Sequence, residues 1–183
     1  MNPTYKAVAS SNISISELML PSHANFSGKI HGGYILSLLD QIAFACASKF
    51  SGNYCVTASV DTVDFLNPIE VGELVTMKAS VNYVGKSSMI IGIRVESENI
   101  QTGLVKHCNS SYFTMVSKDK DGKNATVPGL ILSSLEEVRR FQNCLKQIAL
   151  KKEKNRDKDF FNHNSKETLN SLEKNYNILI KLD

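Results

Sequence analysis

Alternating apolar and polar residues mark four segments between residues 55 and 116. This period of two is typical of a strand that buries one face and exposes the other. The segments are Cys55–Phe65, Glu73–Tyr83, Ser88–Glu96 and Leu104–Val116. Short connections such as Gly85-Lys86 separate them, so the pattern predicts consecutive antiparallel strands.

The segment before these strands, residues 32–48, has a different pattern. It is apolar on nearly every side when it is drawn as a helix. A helix of this kind has to be enclosed by other structure. One buried helix followed by antiparallel strands predicts an α+β fold, in which the sheet wraps around one long central helix.

The composition changes near residue 129. All ten glycines lie at or before Gly129, and the last proline is Pro128. We therefore expect one domain over residues 1–128 and a C-terminal helical extension and tail over residues 129–183. A capping box in Ser133–Glu137 predicts an amphipathic helix through about Lys151. Beyond it, the sequence predicts a polar linker to Asn164 and a last short element between Leu169 and Leu182.

Charge and cysteine spacing narrow the function classes. The net charge is +3, and the whole excess falls in residues 129–183, so we expect no nucleic-acid partner. Cys46, Cys55, Cys108 and Cys144 are widely spaced, which predicts reduced thiols and no zinc or disulfide framework. No segment is apolar enough to span a membrane and the start does not resemble a signal peptide, so we expect a cytoplasmic protein.

The candidate chemistry lies around the start of the apolar helix. Asp40 is the only acid between Glu17 and Asp61, and a carboxylate among apolar residues needs partners. Gly32 and Gly33 place backbone N–H groups at a helix start, where an anion or oxyanion can bind. Taken singly, each feature more often has a structural explanation: a structural partner for Asp40, a tight turn for the two glycines, and a turn or cap for Asn25.

Several motifs in order resemble one family. They are Ala24-Asn25-x-x-Gly28-x-x-His31-Gly32-Gly33 with Leu38-Leu39-Asp40, then Thr57-Ala-Ser-Val-Asp61-x-x-x-Phe65-x-x-Pro68, then Tyr83-Val84-Gly85-Lys86-Ser87-Ser88. Together they cover roughly residues 10–120 and resemble the hotdog-fold acyl-CoA thioesterases, in particular the bacterial and cytosolic long-chain hydrolases. The resemblance implies hydrolysis of a fatty acyl-CoA to a free acid and coenzyme A, without a metal or another cofactor.

The resemblance also implies a catalytic pair and an assembly. Asp40 matches the family's helical carboxylate and Asn25 its upstream amide, and each active site takes the two from different subunits of a dimer. Three such dimers commonly form a hexamer. Gly32 and Gly33 would stabilise the oxyanion, while Asp40 would act either as a base towards water or as a nucleophile.

Further residues are candidates for substrate binding. Gly85, Lys86, Ser87 and Ser88 form a turn that would hold the phosphates of coenzyme A, although a solvated surface turn explains them equally well. The other candidates are His31, Thr57, Ser59 and Phe65, with Val63 and Asp64 beside them. His23 departs from the family pattern, which often has Asp there, and this predicts an altered pH dependence.

Two other functions fit parts of this pattern. One is a hotdog thioesterase for short-chain or aromatic acyl-CoA, and the other is a non-catalytic module that binds acyl-CoA. Because a binding module needs neither Asn25 nor Asp40, their presence favours catalysis.

Overall fold

The apolar segment forms helix α1, Gly32–Ser51, in the computed structural model, which describes residues 4–156, 166–175 and 180. The helix begins with His31 as its N-cap and ends at Gly52, whose positive φ of 78° is the left-handed conformation that closes a helix. One face of α1 is fully buried and carries Ile35, Leu39, Ile42, Cys46 and Phe50.

The strands form two sheets. Their bounds are β1 Tyr5–Ala7, β2 Ile13–Leu18, β3 Tyr54–Phe65, β4 Glu73–Val84, β5 Ser88–Asn99, β6 Val105–Lys118 and β7 Gly129–Ile131. The main sheet is antiparallel throughout in the order β2-β4-β5-β6-β3, and β1 and β7 form a separate parallel pair. The four predicted strands are confirmed, whereas β1, β2 and β7 were not predicted.

The core lies between α1 and the inner face of the main sheet. Strand residues that contribute include Val75, Met77, Val81, Ile91, Phe113 and Met115, all almost completely buried. Each such side chain stabilises the fold by roughly 1.5–3 kcal/mol through the apolar surface it buries. The predicted α+β fold with a sheet around one central helix is confirmed.

The expectation that other structure encloses α1 on all sides is wrong for the single chain. Gly33, Leu36, Ser37, Asp40, Gln41 and Phe44 are exposed and recur at helical spacing along one stripe. The sheet covers only the opposite side, because five strands curve around part of a helix and not around the whole of it. Asp40 is therefore exposed in one chain and not held in apolar surroundings.

Strand β3 lies at an edge of the main sheet, with only β6 as its neighbour. Its pairing is interrupted between Thr57 and Ser59 and again between Val60 and Val63. Such bulges bend an edge strand and re-aim its side chains, and they are common next to active sites. The edge and the uncovered stripe of α1 carry residues of the same candidate site, Thr57 and Asp40.

The chain divides into two compact units, Met1–Cys144 and Leu145–Asp183. Helix α2, Leu135–Arg156, begins at Ser134, whose hydroxyl accepts a hydrogen bond from the Glu137 N–H at 3.2 Å. The helix continues to Arg156, so the first residues of the predicted linker are helical. Helix α3 covers Lys166–Asn175, while residues 157–164 and most of the last apolar residues lie outside the described part.

The domain boundary at residue 129 stays a prediction. Strand β7 pairs with β1, and the first compact unit includes it. None of the described helices is long and apolar enough to cross a membrane.

A buried carboxylate, Glu73, ties the start of β4 to the loop before α1. It accepts hydrogen bonds from the Ser97 hydroxyl at 2.6 Å and the Glu70 N–H at 2.9 Å, and it pairs with Lys106 at 2.8 Å. Glu70 in turn contacts Lys29 in two ways, since their backbones form an isolated antiparallel β-bridge and their side chains form an ion pair. This network holds the segment that carries Asn25.

We expect Glu73→Gln to lower the free energy of unfolding by about 1–3 kcal/mol at pH 7, since it removes charge-assisted bonds from a buried group. Burial raises the pKa of Glu73, but the hydrogen bonds from Glu70, Lys106 and Ser97 outweigh it, so the pKa lies below its usual value of 4.5. The stabilisation is therefore present at neutral pH and is lost as the pH falls through the lowered pKa. Urea unfolding at pH 7 and pH 3 measures this.

The matched control is Glu98→Gln, which removes a half-buried carboxylate from β5 on the same sheet. If Glu73→Gln lowers the free energy of unfolding by as much at pH 3 as at pH 7, the role given to the Glu73 charge is contradicted.

Candidate active site

Asp40 is held by a residue of the neighbouring edge strand. The Thr57 hydroxyl donates a hydrogen bond to Asp40 Oδ1 at 2.6 Å, and both side chains are exposed. A bond of this length to a charged acceptor fixes the orientation of the carboxylate. Asp40 therefore has the partner that a lone acid on this helix requires, and Oδ2 remains available to a water or a substrate.

Asn25 sits in a tight loop that its own side chain organises. Asn25 Oδ1 accepts hydrogen bonds from the Ser27 N–H at 2.9 Å, the Ser27 hydroxyl at 2.7 Å and the Lys29 N–H at 3.2 Å. Gly28 allows the loop to turn with a φ of 79°. Because every side-chain bond that Asn25 makes to the described residues uses Oδ1, Nδ2 is left to donate elsewhere.

The two glycines at the start of α1 differ in what their N–H groups do. The Gly33 N–H donates to His31 Nδ1 at 2.9 Å, so the imidazole caps the helix at this position. The ring also lies 3.0 Å from the place that a Cβ on Gly33 would occupy, so a larger residue there would require the imidazole to shift by a few tenths of an ångström. The Gly32 N–H makes no hydrogen bond to the described residues and is the free donor of the pair.

Asn25, Gly32 and Phe65 line one cavity of about 370 Å³. The Phe65 ring packs over Gly32, 3.4 Å from the position that a Cβ there would take. Most of the remaining wall is apolar and comes from Ile30, Ile35, Leu66, Pro68 and Ile69. An apolar cavity beside free N–H donors can hold an acyl chain next to a polarised carbonyl.

Asp40 does not line that cavity. It follows Gly32 by eight residues on the same helix, which places it about 12 Å further along the axis. Gly33 and Asp40 nevertheless share the exposed stripe of α1, since seven residues make almost two full turns. One chain therefore presents the predicted catalytic residues as two separate halves.

The predicted phosphate-binding turn lies at the end of the sheet near Thr57. Ser88 pairs with Val116, which pairs with Val56, the neighbour of Thr57. The Gly85 N–H donates to the Ser88 carbonyl at 2.8 Å, which closes the turn. The Lys86 side chain is exposed and forms no ion pair with the residues the structure describes.

The other predicted residues lie near these groups. Ser59 Oγ is 3.5 Å from Asp61 Oδ1 between the two bulges of β3, and Val63 and Asp64 follow on the same strand. The His23 ring stacks on Tyr34 with centroids 4.0 Å apart, and the Tyr34 hydroxyl bonds to Glu17. His23 thus belongs to an aromatic and acidic cluster at the start of α1.

The described residues contain no group of three or more His, Cys, Asp and Glu side chains that could hold a metal ion.

Phe26 was not singled out from the sequence. It is fully exposed although it is large and apolar, and it directly follows Asn25 at the tip of the loop. An apolar residue inside a turn of the form Asn-x-x-Gly is the signal that could have found it. None of the residues that the structure describes covers this ring, so it is open to contact by another molecule.

We expect Thr57→Val to lower kcat about tenfold, because the change keeps the shape of the side chain but removes the bond that orients Asp40. Thr57→Ser keeps a hydroxyl at the same position and serves as the matched control. Steady-state thiol release from an acyl-CoA measures both variants. A loss in Thr57→Ser together with native turnover in Thr57→Val would mean that the methyl group and its packing matter, and not the hydrogen bond.

A long helix inside an antiparallel sheet is the hotdog fold, and comparison with known proteins gives the class as the hotdog thioesterases. The sequence profile of the thioesterase superfamily matches residues 27–104. The protein VdlD from Helicobacter pylori is 44% identical over 133 residues, which cover 73% of this chain and 76% of that protein. YkhA from Bacillus subtilis, an uncharacterized acyl-CoA thioester hydrolase, is 34% identical over 66% of this chain and 70% of its own length.

Solved structures show the same fold. An apo-hexameric acyl-CoA thioesterase superposes with a TM-score of 0.80 at 32% identity, over 82% of this chain and 97% of that one. An acyl-CoA hydrolase from Staphylococcus aureus, solved with butyryl coenzyme A, coenzyme A and coenzyme A disulfide, superposes with a TM-score of 0.78 at 28% identity, over 92% and 99%. The chain belongs to the hotdog-fold acyl-CoA thioesterases, a family of acyl-CoA thioester hydrolases.

Proposed function

We propose that this enzyme hydrolyses a fatty acyl-CoA to a free acid and coenzyme A at a site shared by two copies of the chain. Asp40 and Thr57 of one copy would face Asn25 and Gly32 of the other. The observation that carries this proposal is the Asp40–Thr57 pair, which lies exposed on an uncovered helix face beside an unpaired strand edge. A catalytic carboxylate needs substrate contacts that one chain does not provide there.

Three exposed features support a second copy as the missing partner. They are the open stripe of α1, the free edge of β3 and the ring of Phe26. An exposed strand edge offers a row of unpaired N–H and C=O groups that another strand can satisfy. A two-fold axis beside β3 would pair this edge with itself and cover both helix faces at once. We further propose that such dimers assemble into a hexamer, the state given for one of the similar structures.

The chemistry follows from the donors at each half-site. The Gly32 N–H and the start of α1 would stabilise the negative charge that develops on the thioester oxygen. Asn25 Nδ2 would position the carbonyl or the attacking water. Asp40 would either take a proton from that water or attack the carbonyl itself, and the thiolate of coenzyme A would leave without a strong general acid.

The His31 cap modifies the oxyanion site. Its ring accepts the hydrogen bond of the Gly33 N–H, so a substrate oxygen would bind only the Gly32 N–H of this pair unless the imidazole moves aside.

The turn at Gly85–Ser88 would bind phosphates of coenzyme A through Lys86 and two hydroxyls. Three structures of the Staphylococcus aureus hydrolase carry alanine in place of one aspartate, one asparagine or one threonine, the residue types of Asp40, Asn25 and Thr57.

We also propose that the enzyme works in the cytoplasm. All four cysteines are buried and unpaired, as expected for a reducing compartment. A similar rat protein, 31% identical over 78% of this chain and 38% of its own length, is a cytosolic acyl-CoA thioester hydrolase.

The direct test is thiol release from a panel of acyl-CoAs that differ in chain length and include one aromatic substrate. We expect turnover of fatty acyl-CoA, with the panel giving the length preference. Binding of acyl-CoA without thiol release would contradict an enzyme and favour a binding module. A preference for short or aromatic acyl groups would overturn the fatty acyl assignment while the reaction class stands.

A further inference from the structure

A second cavity, of about 590 Å³, lies on the outer face of the main sheet, away from α1. Its floor comes from β2, β4, β5 and β6, and the first turns of α2 form one wall. Side chains alternate along a strand, so the floor residues Ser80 and Arg94 face away from the core residues Val81 and Ile93 beside them. The cavity contains none of the residues placed in the catalytic site.

The floor is built around Asn82. This side chain is only 5% exposed and sits at a bulge of β4, where it has no partner residue on β5. Its Oδ1 accepts a hydrogen bond from the Ser80 hydroxyl at 3.0 Å, while Nδ2 makes none to the described residues. Although the residue is largely buried, Nδ2 itself stays accessible from the cavity, so it can donate to an acceptor that enters there.

Gly92 makes room for that amide. A Cβ on Gly92 would lie 2.0 Å from Asn82 Nδ2 and 3.4 Å from the Tyr112 ring, so any other residue would displace the donor. Burial raises the pKa of the Tyr112 phenol, which therefore keeps its proton and can donate at neutral pH. The floor presents an amide donor and a hydroxyl donor to the same cavity.

The floor and the α2 wall of the cavity carry positive charges. Lys78 and Arg94 both pair with Glu96 at 2.7 Å, while Arg139 and Arg140 pair with Glu136 at 2.6 and 2.9 Å. Four cations against two carboxylates leave an excess of two positive charges. Each shared glutamate satisfies only part of the guanidinium donors around it, because an arginine has five N–H groups.

We propose that this cavity is a binding site for a small molecule that carries a phosphate group. A phosphate has close to two negative charges at pH 7, which matches the excess, and it accepts hydrogen bonds from guanidinium, amide and hydroxyl groups together. The volume falls in the range of small-molecule sites and exceeds that of a phosphate alone, so the ligand has a further part that lies over the polar floor.

The test uses the full chain and inorganic phosphate as the probe, with calorimetry in a phosphate-free buffer. We expect binding to the native protein and at least a tenfold rise in Kd for the variant with Arg139→Gln and Arg140→Gln. These exposed or half-exposed side chains can change without disturbing the core. Asn82→Asp is the second variant, because it keeps the shape and replaces the donor with a negative charge.

Two controls decide between this site and others. Lys123→Gln removes a surface charge far from the cavity and should leave the Kd unchanged. Lys86→Ala tests the proposed coenzyme A turn. If phosphate binding is lost in Lys86→Ala but kept in the arginine variant, the proposal is wrong.

Thioesterase activity and sedimentation complete the test. We expect both to be unchanged in the arginine variant, since the cavity lies outside the catalytic site. Binding that persists in both the arginine variant and Asn82→Asp would overturn the proposal. An altered oligomeric state in the arginine variant would also overturn it, because the cavity would then be a contact between copies.

Discussion

Asp40→Asn is expected to lower kcat by roughly a thousandfold and to change KM little, because a base or nucleophile acts on the reacting atoms and contributes mainly in the transition state. The amide keeps the size of the carboxylate and can still meet the Thr57 hydroxyl. Thiol release from a saturating fatty acyl-CoA measures kcat. Normal turnover by this variant would remove Asp40 from the chemistry.

The control for Asp40→Asn is Asp121→Asn, which neutralises an exposed carboxylate in the turn after β6 and should leave kcat unchanged. A single turnover in ¹⁸O-labelled water then separates the two roles of Asp40. Water that attacks the thioester directly places one ¹⁸O in the first acid product. If Asp40 attacks and water then opens the anhydride at the Asp40 carbonyl, the first product carries none.

Mixing two inactive variants is expected to restore activity if, as proposed, the site takes its halves from different copies. Asn25→Ala and Asp40→Asn are each expected to be nearly inactive alone. After exchange of subunits at equal amounts, about a quarter of native activity should return, because half of the pairs are mixed and each mixed pair has one intact site of two. The rate of thiol release before and after exchange gives the result.

The reverse mixture distinguishes a shared site from one within a chain. A double variant with both changes, exchanged with the native chain, yields mixed pairs without an intact site if the halves come from different copies. If instead one chain supplied both halves, each mixed pair would keep one intact site. The shared site would be contradicted if the first mixture recovers no thiol release while the mixed pairs of the second mixture keep half of the native activity.

Local patterns predicted most of the helices and strands. The apolar run after His31 had no other stable conformation than a packed helix, and period-two alternation located β3, β4, β5 and β6 to within a few residues. The shortest strands were missed, because β1 and β7 have three residues each and exist only through their pairing with each other. β2 was also missed, although Ile13-Ser14-Ile15-Ser16 shows the same alternation, because the run is short and stands before the helix, apart from the four longer strands.

The candidate site divides in the same way. The motif around Asn25, Gly32 and Asp40 is visible in the sequence because its members lie within sixteen residues. The hydrogen bond from Thr57 to Asp40 depends on how β3 lies along α1. The hydrogen bond from the Gly33 N–H to His31, which leaves that donor unavailable to a substrate, depends on one conformation of the His31 side chain. Neither contact leaves a trace in residue spacing.

By itself the sequence determined the kind of fold and the family, and it predicted the residue types of the proposed catalytic pair, because apolar periodicity and short motifs are local properties. Only the tertiary structure decided which faces stay open. It left Asp40 exposed on an uncovered stripe and brought four strands and α2 together around the Asn82 cavity. The physical reason is that strand order, bulges and curvature arise from long-range pairing, which no local period encodes.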